Sequence, residues 1–177
     1  MELKKELIEL SQRVEDYYKI NSISNINSTL ELSDEMSLPY TFSCEALHPG
    51  TFKGFDIPEE EIIKSKHTIF NSTGNLSNNE INKDHKGNRK NESSVDDVVG
   101  RVTGADYNYD KKAYILTGEV YDKELALKIH NKIIKFVSLR INPGFVERFG
   151  ERQIARDLSF EELSFVRLPG DPDAKIN

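Results

Sequence analysis

Two side chains in this sequence are candidate nucleophiles, and both sit inside apolar runs. Cys44, the only cysteine, lies in a strand-like pattern with His48 four residues on. Residues four apart on a strand share a face, so a thiol–imidazole pair is geometrically allowed. A single cysteine in such a run is usually a small buried hydrophobe. Ser138 lies between Val137 and Leu139, with Phe136 and Ile141 completing an apolar strand that holds one hydroxyl. Its plain reading is a buried serine satisfied by a backbone carbonyl. Its chemical reading is a nucleophile, which needs a base within hydrogen-bond reach and a third group to orient that base.

The chain has four histidines to supply the base. His130 falls in an amphipathic helical pattern and His67 among Lys64, Ser65 and Lys66; both read as surface side chains. His85 sits in a long polar tract. The third member is sought in residues 157–166 (DLSFEELSFV). If Leu163, Phe165 and, on a preceding turn, Phe160 face the core, Glu162 shares the opposite face with Ser164 and Val166. A carboxylate there could hold an imidazole in one tautomer and stabilise its charged form. A solvated strand glutamate fits the same spacing, and Glu161 and Asp157 remain alternative acids.

These residues must be positioned by the elements around them. Leu3, Leu7, Leu10 and Val14 predict a helix over 2–19, followed by a Ser/Asn-rich linker to about residue 38. That helix is either a solvated terminal element or an assembly element. The domain proper is expected at 39–177. PYTFSCEAL reads as a strand ended by His48-Pro49-Gly50, and residues 57–63 as a short helix with proline near its start and acids in its first turn. Residues 71–94 are nearly free of apolar side chains and predict a long exposed loop. Residues 98–102 and 113–120 predict neighbouring strands joined by a loop over 105–112. Asp122 is placed to cap a helix with Leu125, Ile129, Ile133 and Phe136 on one face. Residues 135–141 predict a strand, Pro143-Gly144 a turn, and 154–168 one or two more strands. The fold class expected is α+β, an antiparallel barrel or curled sheet flanked by helices.

Composition excludes several functions. The chain has 177 residues, with 24 basic and 30 acidic side chains for a net charge of −6. No basic stripe interleaved with aromatics marks a nucleic-acid surface. One cysteine makes no internal disulfide, and no Cys/His cluster has zinc-ligand spacing. No apolar run approaches the roughly 20 residues of a membrane helix. The charged start, MELKKELIEL, is unlike a signal peptide, so a reducing interior is expected.

Four segments in order resemble the phage prohead (capsid maturation) proteases, serine proteases with the fold of the herpesvirus assemblins. They are Glu45-Ala46-Leu47-His48-Pro49-Gly50-Thr51-Phe52-Lys53-Gly54 with the short helix behind it; Lys83-Asp84-His85 followed by the strand from Val98; Lys135-Phe136-Val137-Ser138-Leu139; and residues 161–174 from Glu161-Glu162-Leu163 through Pro169-Gly170-Asp171-Pro172-Asp173-Ala174. The match spans roughly residues 40–175. It implies Ser138 as nucleophile, His85 as general base and Glu162 at the third position, where assemblins carry a second histidine. It calls for no metal or cofactor. It implies substrates that are the scaffold, the major capsid protein and the chain itself, inside an immature shell in the host cytoplasm or one encoded by an integrated provirus. The N-terminal helix would then serve packaging or homodimerisation until self-cleavage. Three departures stand out. Arg140 replaces the usual glycine two residues after the serine, the tract before His85 is long and polar, and the assemblins' paired arginines have no counterpart. Backbone N–H groups around Gly170 and the charge of Arg140 are left to serve an oxyanion. The rival expectation is a non-catalytic capsid assembly or scaffolding module with the same fold.

Overall fold

Alternation of apolar and polar residues at a period of two governs most of the domain, and it closes a sheet on itself. The computed structural model describes residues 36–73, 76–84 and 95–177. Its strands are β1 (Tyr40–Leu47), β2 (Gly50–Phe52), β3 (Phe55–Ile57), β4 (Ser72–Thr73), β5 (Leu76–Ser77), β6 (Glu80–Asn82), β7 (Val98–Asn108), β8 (Ala113–Val120), β9 (Phe136–Phe149), β10 (Arg152–Val166) and β11 (Lys175–Ile176), with helices α1 (Glu59–Ser65) and α2 (Lys123–His130). Around the barrel the order is β10-β6-β7-β8-β1-β11-β9, and β9 returns to β10, so seven strands close a barrel with few helices. Closure removes the free edges that an open sheet would expose. The pairing is antiparallel except where β6 and β3 run parallel to β10, a departure from the all-antiparallel expectation.

Inside, Phe42 meets Phe165 at 5.3 Å and Tyr114 meets Phe160 at 4.8 Å between ring centres. Leu116, Ile81, Leu163 and Val137 fill the space between, all fully buried. Gly118 leaves room for this packing: a Cβ there would stand 2.7 Å from Ile81 Cδ1.

Several boundaries differ from the sequence reading. The tract 71–94 is not all exposed loop, because Ile81 and Asn82 are fully buried in β6. One isoleucine among polar neighbours suffices when β10 and β7 flank it with backbone partners. β7 runs on to Asn108, which shortens the expected connection. Asp122 does cap α2, accepting a hydrogen bond from the Leu125 amide at 2.8 Å. The helix then stops at His130, leaving Ile133 exposed and Phe136 in β9. Pro143-Gly144 makes no turn; β9 continues through it to Phe149, opposite Leu158 and the positive-φ Asp157. The reversal comes instead at Gly150, whose φ of 59° suits glycine. The expected helix over 2–19, most of the linker and the segment 85–94 lie outside the described residues.

The seam between β1 and β9 is closed by only two residues, Lys175 and Ile176. Asp171 anchors them: one of its oxygens accepts from the His48 amide at 2.7 Å and lies 2.8 Å from His48 Nδ1, and the other accepts from the Asp173 amide at 3.0 Å. Replacing Asp171 by Ala leaves these donors unmet and is expected to cost about 1–3 kcal/mol, read as a lower urea midpoint; an unchanged midpoint would show that the seam closes without it. Beside this anchor, the Lys111 ammonium holds the Glu45 carboxyl below its usual range. Because the folded value is lowered, that stabilisation is complete above the unfolded value of about 4.3 and is lost as pH falls through the folded one. Glu45→Gln should therefore flatten the acid limb of stability against pH.

Candidate active site

The site is built by one hairpin and a register shift in it. From the turn inward, β9 and β10 keep one register as far as Phe160 opposite Ile141. The register then shifts, and Glu162 faces Arg140, Leu163 faces Leu139 and Ser164 faces Ser138. Side chains alternate faces along a strand, so an unshifted ladder that keeps Phe160 inside would turn Leu163 out and Glu162 inward. The extra residue, Glu161, forms a bulge that lets Phe160, Leu163 and Phe165 all enter the core. The same bulge delivers Glu162 and Ser164 to the outer face, opposite Arg140 and Ser138.

On that face the polar groups form a chain. Ser164 Oγ donates to Glu162 Oε1 at 2.6 Å, and Arg140 Nε donates to Glu162 Oε2 at 3.1 Å. Glu162 and Ser164 are both fully buried, although they face away from the barrel interior. A carboxylate so enclosed is costly unless both oxygens are engaged, and here both are. The solvated-glutamate reading is thereby corrected. Ser138 differs: it is half-buried, so its hydroxyl is reachable, and it makes no hydrogen bond to a described residue. The accessible hydroxyl thus stands beside a sealed hydroxyl–carboxylate–guanidinium chain. On the other side of Ser164, the parallel β6 ladder sets Asn82 in register with it.

The remaining candidates distribute as follows. Glu161 is also buried but lies further from Ser138, accepting from Asn142 Nδ2 at 3.3 Å. Asp157 is exposed and paired with Lys64. Of the three acids, only Glu162 joins the row with Ser138. Gly170 is exposed, with open space where a side chain would stand, and its neighbour Asp171 is committed to His48. His67 and His130 are exposed, the latter with its ring edge toward Tyr40. His85 lies outside the described residues, three positions beyond Asn82 in the chain.

The thiol alternative fails on geometry. Cys44 is completely buried, and that burial pushes its thiol up to about 12. The bulge between Glu45 and Leu47 breaks the simple four-residue periodicity, and His48 turns instead to Asp171 and, at 3.5 Å, to Glu45. Cys44 is a core residue.

No family model, curated protein or solved structure matches the chain. A separate cleft of about 560 Å³, lined by Lys83, Asp96, Val98, Arg101, Tyr121 and Asp122 among others, holds none of the row. Its Lys83 and Asp122 pair at 3.0 Å, and the Tyr121 hydroxyl donates to Glu119, so the described lining residues offer no free hydroxyl of the Ser138 kind. Among the described residues no cluster of His, Cys, Asp or Glu could hold a metal ion, and no helix is long and apolar enough to cross a membrane.

Two residues of this row, Ser164 and Asn82, are not among the sequence-based candidates. Ser164 was visible as a face-mate of Glu162, and the Glu-x-Ser spacing between apolar residues is the signal for their hydrogen bond. Asn82 gave no signal, being one of many asparagines in a polar tract.

Proposed function

We propose that the chain is a serine endopeptidase of capsid maturation, of the prohead-protease kind that its motifs resemble. One observation carries the reading: the reachable Ser138 hydroxyl stands in register with the buried Ser164–Glu162–Arg140 chain. In this reading His85 takes the Ser138 proton as Oγ attacks the substrate's peptide carbonyl carbon, and returns it to the leaving amine. Glu162 orients the imidazole and stabilises its charged form. Water, activated by the same base, then releases the acyl group and regenerates Ser138. Arg140, held beside the row, and backbone N–H groups near Gly170 supply positive potential for the oxyanion. The substrates are the scaffold, the major capsid protein and the chain's own N-terminal segment, which also serves homodimerisation. The reaction belongs inside an immature shell in the host cytoplasm.

Co-expression with the scaffold and major capsid proteins tests this. Shortened products of both are expected, and unaltered chains would remove the proposal. A second reading, a non-catalytic assembly module of the same fold, is favoured by one feature: Arg140 already occupies a Glu162 oxygen where the family has glycine. It expects co-assembly with those proteins without cleavage.

A further inference from the structure

Asn82 stands out in the row because both polar atoms of its side chain are unmet, where Arg140 leaves only Nη2 without a partner. Its side chain is fully buried, yet neither Oδ1 nor Nδ2 has a hydrogen-bond partner among the described residues. Burying a carboxamide unpartnered is unfavourable, and buried polar groups are normally satisfied. Leucine is of similar size and would fill the same place without that cost. An unmet amide in a domain that otherwise packs apolar residues well marks a position where local stability is set aside for some other role.

Position says which role. β6 ends at Asn82, and its parallel ladder with β10 aligns Ile81 with Leu163 and Asn82 with Ser164. Ile81 and Leu163 go to the core together, so Asn82 and Ser164 share the outer face. Strands in a ladder lie about 4.8 Å apart, which brings the amide close to the serine hydroxyl. Ser164 Oγ has spent its proton on Glu162 Oε1 and keeps acceptor lone pairs. Asn82 Nδ2 carries two protons and has no acceptor for them among the described residues.

We propose that Asn82 is a positioning residue that acts through Ser164. When the site engages a substrate, Nδ2 donates to Ser164 Oγ and completes a chain from Asn82 through Ser164 to Glu162, whose other oxygen is fixed by Arg140 Nε. Each donor polarises the next, so the carboxylate is held in one direction. This rests on the hydrolase reading above and adds to it a residue that touches neither substrate nor the reacting atoms.

The test uses the full chain and a fluorophosphonate–fluorophore probe, reading the rate of Ser138 phosphonylation and the melting temperature together. Asn82→Leu is expected to slow phosphonylation about tenfold, within the range for coupled neighbours, while raising the melting temperature by about 2–5 °C. An asparagine with a merely structural role would lower the melting temperature on the same change. In a Ser164→Ala background, Asn82→Leu should cause no further slowing, since its effect passes through that hydroxyl. A wild-type rate in Asn82→Leu, or slowing that multiplies with that of Ser164→Ala, overturns the proposal and leaves the hydrolase reading intact. Wild-type protein that is not phosphonylated overturns both. Should Asn82→Leu fold poorly, Asn82→Ala must still slow labelling, and must not slow it further without Ser164.

Discussion

Replacing Ser138 by alanine should abolish peptide hydrolysis, lowering the rate about 10³-fold or more, while leaving the melting temperature where it was. The loss is large because a nucleophile has no substitute in its own site, and what survives its removal is only binding and charge stabilisation. The fold should not notice. Ser138 Oγ makes no hydrogen bond to a described residue, and the side chain is half-buried, so alanine neither strands a partner nor opens a sealed cavity. Peptide release and thermal unfolding on the same preparation check both halves. Undiminished hydrolysis would remove Ser138 from the chemistry. A collapse in stability would make it a packing residue.

Glu162 should differ from Ser138 in stability, with a large effect on both measurements. Its carboxylate is fully buried and satisfies Arg140 and Ser164 at once. Glu162→Ala leaves the guanidinium without its counter-charge, and Arg140 Nη2 already lacks a partner among the described residues. Breaking a buried ion pair on one side costs about 3–5 kcal/mol. The Arg140 side chain retains 14% exposure, which screens part of the loss and places the expectation near 3 kcal/mol. The paired change Glu162→Leu with Arg140→Met should recover much of that stability, because two matched apolar groups replace two matched charges. It should recover no hydrolysis. Urea unfolding of the single and double variants measures the first claim, and peptide release the second. Recovery of hydrolysis in the double variant would show that Glu162 is a structural ion-pair member only.

Much of the barrel could be read from alternation alone. The strands around Cys44, Val102, Leu116 and Ser138 stand where period-two patterning sets them, and the Asp122 cap follows from side-chain chemistry within one turn. What escaped reading depends on partners distant in sequence. β6 is a strand because β7 and β10 offer it backbone partners, not because Glu80-Ile81-Asn82 prefers extension. β11 is held by Asp171 reaching His48, 123 residues away. The extension of β9 through Pro143-Gly144 overrode a strong turn signal, because the facing Asp157 takes the positive φ that the irregularity requires.

The candidate site shows the same division. The face shared by Glu162 and Ser164 followed from Leu163 and Phe165 being apolar. The partnership of Glu162 with Arg140 required the Glu161 bulge, which no local pattern announces. Cys44 and His48 part for the same reason, since the bulge after Glu45 cancels the four-residue rule, and Cys44 is the buried hydrophobe that its apolar run suggests.

The most direct test of the hydrolase reading is to treat the full chain with a fluorophosphonate and locate the adduct by peptide mass spectrometry. The account predicts a single phosphonyl group on the peptide that carries Ser138, absent from the Ser138→Ala protein. No adduct, or an adduct on any other residue, would contradict it.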